Sequence, residues 1–132
     1  MTLVELTISY SQLIVMNYDG EQPYVEWTNE AFERGYVEAE GVVIFEAISD
    51  YTCEIEVSVG KHIEKEGVIK TISAPFTIGN EGVFIRSILS NTLHIPISQG
   101  EYVLVMQAMP LEKPTDDELY KIQYELFFEE KE

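Results

Sequence analysis

Thr52-Cys53-Glu54-Ile55-Glu56-Val57-Ser58-Val59 is the stretch that decides the fold class. Cys53, Ile55, Val57 and Val59 share one parity, while Thr52, Glu54, Glu56 and Ser58 share the other. Side chains alternate between faces along a strand, so this segment buries one face and wets the other. The same period recurs outward from it. Upstream, residues 42–48 form an apolar run broken by Glu46, as expected of a central strand. Earlier still, Leu6, Ile8 and Tyr10 alternate with Thr7 and Ser9, but Leu13 and Val15 continue on the opposite parity. A one-residue shift near Ser11-Gln12 therefore predicts a bulge or bend. Downstream, residues 68–78, 83–89, 93–97, 102–109 and 120–128 read as further strands. Pro75 and Pro96 interrupt two of these, and a residue without a ladder N–H belongs at an edge or a bulge.

Turn chemistry punctuates these runs at Asn17-Tyr18-Asp19-Gly20, Ser49-Asp50-Tyr51, Gly79-Asn80-Glu81-Gly82 and Ser98-Gln99-Gly100-Glu101. About eight short strands so spaced predict an all-β fold, an antiparallel β-sandwich or Greek-key roll. The whole chain, residues 1–132, reads as a single domain. No long helical pattern separates the strands, which argues against a parallel βαβ sheet. One or two short helices are expected. Thr28 can cap the first, with Trp27 before the cap and Phe32 inside it as a hydrophobic staple. Glu30 and Arg34 form an i,i+4 pair, and Gly35 can end the helix in a left-handed conformation. Residues 23–26 before it read as extended, and Thr115-x-x-Glu118 has capping-box spacing for a second helical turn.

Charge is the unusual feature of the composition. Twenty-four Asp and Glu face 8 Lys and Arg, a formal net charge of −16. Such a surface repels phosphate backbones and anionic membranes, and it accelerates encounter with basic partners. The plain alternative is that the charge serves solubility. Neither direct nucleic-acid binding nor membrane insertion is expected, and no apolar run approaches a membrane span. The amino terminus lacks the basic-then-apolar pattern of a secretory signal. Cys53 is the only cysteine, so no internal disulfide forms, and a reducing cytoplasmic setting fits.

Catalytic and metal-binding signatures are thin. His62 sits in a polar loop beside Lys61, Glu64 and Lys65 and reads as a surface histidine. His94 interrupts an apolar strand and is expected to point outward. Neither has a second histidine or a cysteine at metal-ligand spacing. Asn17-x-Asp19-Gly20-Glu21 and Asp116-Asp117-Glu118 carry oxygen ligands but not the spacing of a loop that wraps calcium. No enzyme activity, cofactor or metal is expected.

Glu26-Trp27-Thr28-Asn29-Glu30-Ala31-Phe32-Glu33-Arg34-Gly35-Tyr36, then Ala39-Glu40-Gly41 and Phe45-Glu46-Ala47, resembles the competence protein J family. The resemblance continues through Ala74-Pro75-Phe76-Thr77, Glu81-Gly82-Val83, Arg86-Ser87-Ile88 and Ile97-Ser98-Gln99-Gly100-Glu101-Tyr102. It implies a small non-enzymatic inhibitor of a DNA-entry-type nuclease in bacterial competence, cytoplasmic or brought to the membrane by its partner. The expected partner is a nuclease with a basic active-site cleft. A cleft built to hold a polyanion is lined by Lys and Arg, so a carboxylate-rich face can occupy it.

From the residues, Glu26, Glu30, Glu33, Glu38 and Glu40 supply charge for such a face, and Trp27 and Tyr36 supply contact area. The competing reading packs Trp27 and Phe32 onto the core and leaves the glutamates as a solvated surface. A second candidate face carries Glu54 and Glu56. The alternative function is a β-sandwich recognition or scaffold domain that binds carbohydrate or calcium without inhibiting a nuclease. A hydrolase built on a carboxylate pair is a third class; it predicts a deep pocket with two converging acids.

Overall fold

The computed structural model of the protein describes residues 2–21, 23, 25–113 and 120–131. Ten strands and one short helix follow in order: β1 (Thr2–Thr7), β2 (Gln12–Met16), α1 (Asn29–Arg34), β3 (Tyr36–Ala39), β4 (Val42–Glu46), β5 (Thr52–Val59), β6 (Lys70–Ile78), β7 (Val83–Arg86), β8 (Leu93–Ile95), β9 (Gly100–Pro110) and β10 (Ile122–Glu130). They form two five-stranded sheets, β1-β5-β10-β9-β6 and β3-β4-β2-β7-β8. This is the expected sandwich.

Between the sheets lies the main core. Cys53, Ile55 and Val57 of β5 pack there with Leu104 and Met106 of β9 and with Tyr124, Leu126 and Phe128 of β10. The second sheet contributes Leu13, Val15, Val43, Phe45, Val83 and Ile85. Each buried side chain of this size contributes roughly 1.5–3 kcal/mol. The strand-edge reading of the prolines holds. Pro75 lies in β6, at one edge of the first sheet, and Pro96 directly follows β8, at one edge of the second.

Three expectations change. The parity shift near Ser11 is neither a bulge nor a bend within one strand: it marks the passage of the chain from one sheet to the other. Tyr10 and Ser11 both take positive φ, 54° and 55°, and the Gln12 N–H donates to the Ser9 carbonyl at 3.2 Å. That tight turn inverts the chain and resets its parity. Tyr10, expected on the buried parity, is consequently 67% exposed. Secondly, one pairing is parallel: β10 inserts between β5 and β9, antiparallel to β9 but parallel to β5. Thirdly, residues 36–39 form an additional edge strand, too short to show a period, that pairs with β4. Residues 23–26 carry no strand among those described, and the expected turn of helix at Thr115–Glu118 lies outside the described residues.

Each sheet also has its outer face covered. Ile14, Met16, Val42, Ile44 and Phe84, on the outer side of the second sheet, pack with Ala31 of α1 and the half-buried Trp27. The outer side of the first sheet is crossed by the loop that follows β5.

Candidate functional site

The segment that leads into α1 is shaped by its cap. Thr28 is the N-cap, and its Oγ1 accepts from the Ala31 N–H at 3.1 Å. Trp27 and Phe32 meet across the cap with ring centroids 5.0 Å apart, which is the expected staple. Gly35 ends the helix at φ 89°, where a Cβ would run into Ile72 Cδ1. The i,i+4 ion pair does not form. Arg34 folds back, its Nε donating to the Tyr36 carbonyl at 2.8 Å and its guanidinium lying 4.6 Å from the Tyr36 ring centroid. Backbone and aromatic partners hold the cation there, away from Glu30.

Only part of the staple is buried. Trp27 is half-buried on the outer face of the second sheet, but Phe32 is 55% exposed. Tyr10 rises from the Ser9–Gln12 turn to meet this group. Together, Tyr10, Ser11, Gln12, Trp27, Phe32 and Glu46 line a concavity of about 300 Å³. Gln12 and Glu46 lie directly opposite each other on β2 and β4. One oxygen of each, Gln12 Oε1 and Glu46 Oε2, is sealed from solvent with no hydrogen-bond partner among the described residues. Glu26, Glu30 and Glu33 are exposed on the same lead-in segment and helix.

The remaining candidates sit elsewhere. Tyr36 is half-buried, 6.3 Å from the Phe45 ring, beneath Arg34. Glu38 and Glu40 line a second cleft, of about 420 Å³, with Glu101 and Lys131. The seven sequence candidates thus divide into a helix group (Glu26, Trp27, Glu30, Glu33), the packed Tyr36, and a far group at the end of β3 (Glu38, Glu40). Sequence reasoning did not propose Tyr10, Gln12, Phe32 and Glu46 as site residues. Two signals were available: the parity break at Tyr10-Ser11 and the lone carboxylate in the apolar run at Glu46.

On the second face proposed from sequence, Glu54 is half-buried and Glu56 joins a set of polar contacts. Glu56 accepts from Gln123 Nε2 at 3.0 Å. Beside it, Glu125 is only 2% exposed and receives Lys65 Nζ at 2.7 Å and Gln107 Nε2 at 3.1 Å. Gln107 also donates to the Ile63 carbonyl at 3.0 Å, and its Oε1 lies 2.6 Å from His62 Nε2. His62 is therefore not the free surface histidine expected; its ring also stands edge-on to Phe127, with centroids 5.2 Å apart. The hydrogen bond from Lys65 to Glu125 raises the Lys65 pKa above its ordinary value.

Residues that could do chemistry are held inert. Burial pushes the Cys53 thiol up to about 12, so it stays protonated and unreactive. His94 points outward as expected, stacked on Phe84 at 4.5 Å with Nε2 2.7 Å from the Glu81 carbonyl. Among the described residues, no three His, Cys, Asp or Glu side chains converge as a metal site. Asp116, Asp117 and Glu118 lie outside them.

Comparison with known proteins gives a consistent result. A curated DNA-entry nuclease inhibitor of Bacillus subtilis (strain 168) is 33% identical over 108 residues, covering 82% of each chain. The crystal structure of ComJ from Bacillus subtilis, described as an inhibitor of the DNA degrading activity of NucA, superposes with a TM-score of 0.81 at 29% identity, over 97% of this chain and 96% of that one. Residues 5–129 match the competence protein J (ComJ) family along nearly the whole sandwich, and the chain belongs to that family.

Proposed function

We propose that this protein is a non-enzymatic inhibitor of a DNA-entry-type nuclease and that it acts by setting carboxylates into the basic cleft where DNA would lie. The similarity to the curated inhibitor supports the first part. The observation that carries the second is the exposure of Glu26, Glu30 and Glu33 beside the aromatic rims Tyr10 and Phe32. Carboxylates steer the encounter with a cationic groove, and aromatic surface slows release. Trp27 supports the same patch from beneath. Glu38 and Glu40, at the far end of β3 past the packed Tyr36, extend the negative field toward the second cleft.

Titration of the cognate nuclease with purified protein tests the proposal. Cleavage of DNA should stop at a one-to-one ratio, and the apparent affinity should fall as salt rises, because surface charge is screened. Loss of cleavage only at large excess and without salt dependence would overturn occlusion by charge.

A further inference from the structure

The concavity between the Ser9–Gln12 turn and α1 is built for more than general negative charge. Two acceptors on its lining residues, Gln12 Oε1 and Glu46 Oε2, lack partners among the described residues. Leaving a buried acceptor unpaired forfeits its hydration with nothing in return, so such groups are rare in a finished fold. Resident cations do not answer them. Lys70 Nζ donates to the Glu46 backbone carbonyl at 3.3 Å, and the ion pairs among the described residues are Lys65–Glu125 and Lys121–Glu5. Arg34 is held by Tyr36.

Two rings of the aromatic rim, Tyr10 and Phe32, are exposed, and the backbone that carries Tyr10 is pinned by the surrounding chain. Tyr10 and Ser11 adopt left-handed backbone without being glycine. Residues held this way are strained and persist only where neighbours over-determine them. Here Asp50 Oδ1 accepts from the Ser11 N–H at 2.7 Å. The buried Ser87 hydroxyl accepts from the Ser9 N–H at 2.8 Å and donates to the Gln12 carbonyl at 2.6 Å. The turn is pinned from two sides, and its one large exposed product is the Tyr10 ring.

We infer that this pocket is the anchor site for an arginine side chain of the protein partner, with the guanidinium received by Gln12 Oε1 and Glu46 Oε2 between the Tyr10, Trp27 and Phe32 rings. The inference rests on the reading of the protein as an inhibitor with a basic partner. Guanidinium fits on three counts: it is a planar fork of donors, it stacks on aromatic faces, and it loses less hydration than an ammonium group. Both oxygens are sealed from solvent, so entry requires the rim to turn. Tyr10 and Phe32, both mostly exposed, are the rings with room to do so.

Trp27, the only tryptophan in the chain, reports on the site directly. The isolated protein is titrated with N-acetyl-L-arginine methylamide and, separately, with N-acetyl-L-norleucine methylamide, while Trp27 fluorescence is followed. A saturable change with the arginine compound is expected, with a dissociation constant on the order of 1 mM, and none with the norleucine compound. Glu46→Gln keeps the size of the side chain and removes its charge, and should weaken the arginine response severalfold. The same variant should weaken nuclease binding by about tenfold or more while its thermal unfolding stays near that of the parent. No saturable response, an equal response to norleucine, or an unchanged Glu46→Gln response would overturn the assignment. The two readings separate cleanly. Equal affinity of the parent and Glu46→Gln for the nuclease, with inhibition intact, sinks the pocket and leaves the inhibitor. An arginine response that Glu46→Gln weakens severalfold, in a protein that does not inhibit, keeps the pocket and removes the nuclease.

Discussion

The two outer faces of the sandwich solve one problem in opposite ways. Each sheet carries polar residues on its outer surface beneath a loop or a helix. On the first sheet, Glu125 and Gln107 are fully served by Lys65, His62 and the Ile63 carbonyl. On the second, Gln12 and Glu46 face each other with an oxygen of each unserved, under a cover that ends in exposed rings. A satisfied network rigidifies, whereas an unsatisfied pair destabilises until something binds. The first face is finished structure and the second is poised for a partner.

That contrast can be broken by experiment. The largest effect is expected from charge reversal on the open side. Glu30→Lys with Glu33→Lys should slow association with the nuclease about a hundredfold at low salt while changing dissociation far less, as stopped-flow binding would show. Equal rates would move the interface away from α1. The next largest comes from matched truncations. Glu125→Ala strands the Gln107 amide and should cost about 1–3 kcal/mol in denaturant unfolding, with inhibition unchanged. Glu46→Ala removes an acceptor that has no donor, so its cost should stay within ~0.5 kcal/mol while inhibition weakens. Equal destabilisation by the two would erase the distinction between the faces. Thr28→Ala, which deletes the cap of α1, should cost about 1 kcal/mol and speed hydrogen exchange in the helix without altering the loop over the first sheet. The smallest effect belongs to the turn. Ser11→Gly relieves left-handed strain but loosens the unfolded chain, for a net gain of ~0.5 kcal/mol by thermal denaturation.

Local features were legible in the sequence, and long-range ones were not. Parity in residues 52–59 gives a half-buried strand directly, since the pattern is local. Pro75 and Pro96 mark edges because a missing donor is a property of one residue. The cap at Thr28 and the stop at Gly35 are equally self-contained. The parallel register of β10 on β5 couples residues such as Leu126 and Val57, and no short-range pattern encodes it. The same holds for the site. Its carboxylates on α1 are readable by proximity, whereas its floor pairs Gln12 with Glu46 and its turn is pinned by Asp50 and Ser87. Glu46 carried a readable signal as a charge inside an apolar run, but only the register shows that it faces outward beside a second polar group.

The insertion of β10 between β5 and β9 also bears on how the chain is made. The strand that joins the two halves of its sheet is made after all four of the strands it unites. Until residues 122–130 emerge, β1-β5 and β6-β9 are separate ribbons with open hydrogen-bonding edges, and such edges invite mispairing. A message cut short before β10 would therefore yield two ribbons with no seam between them, a product that quality control can tell from the complete sandwich by its unpaired strands.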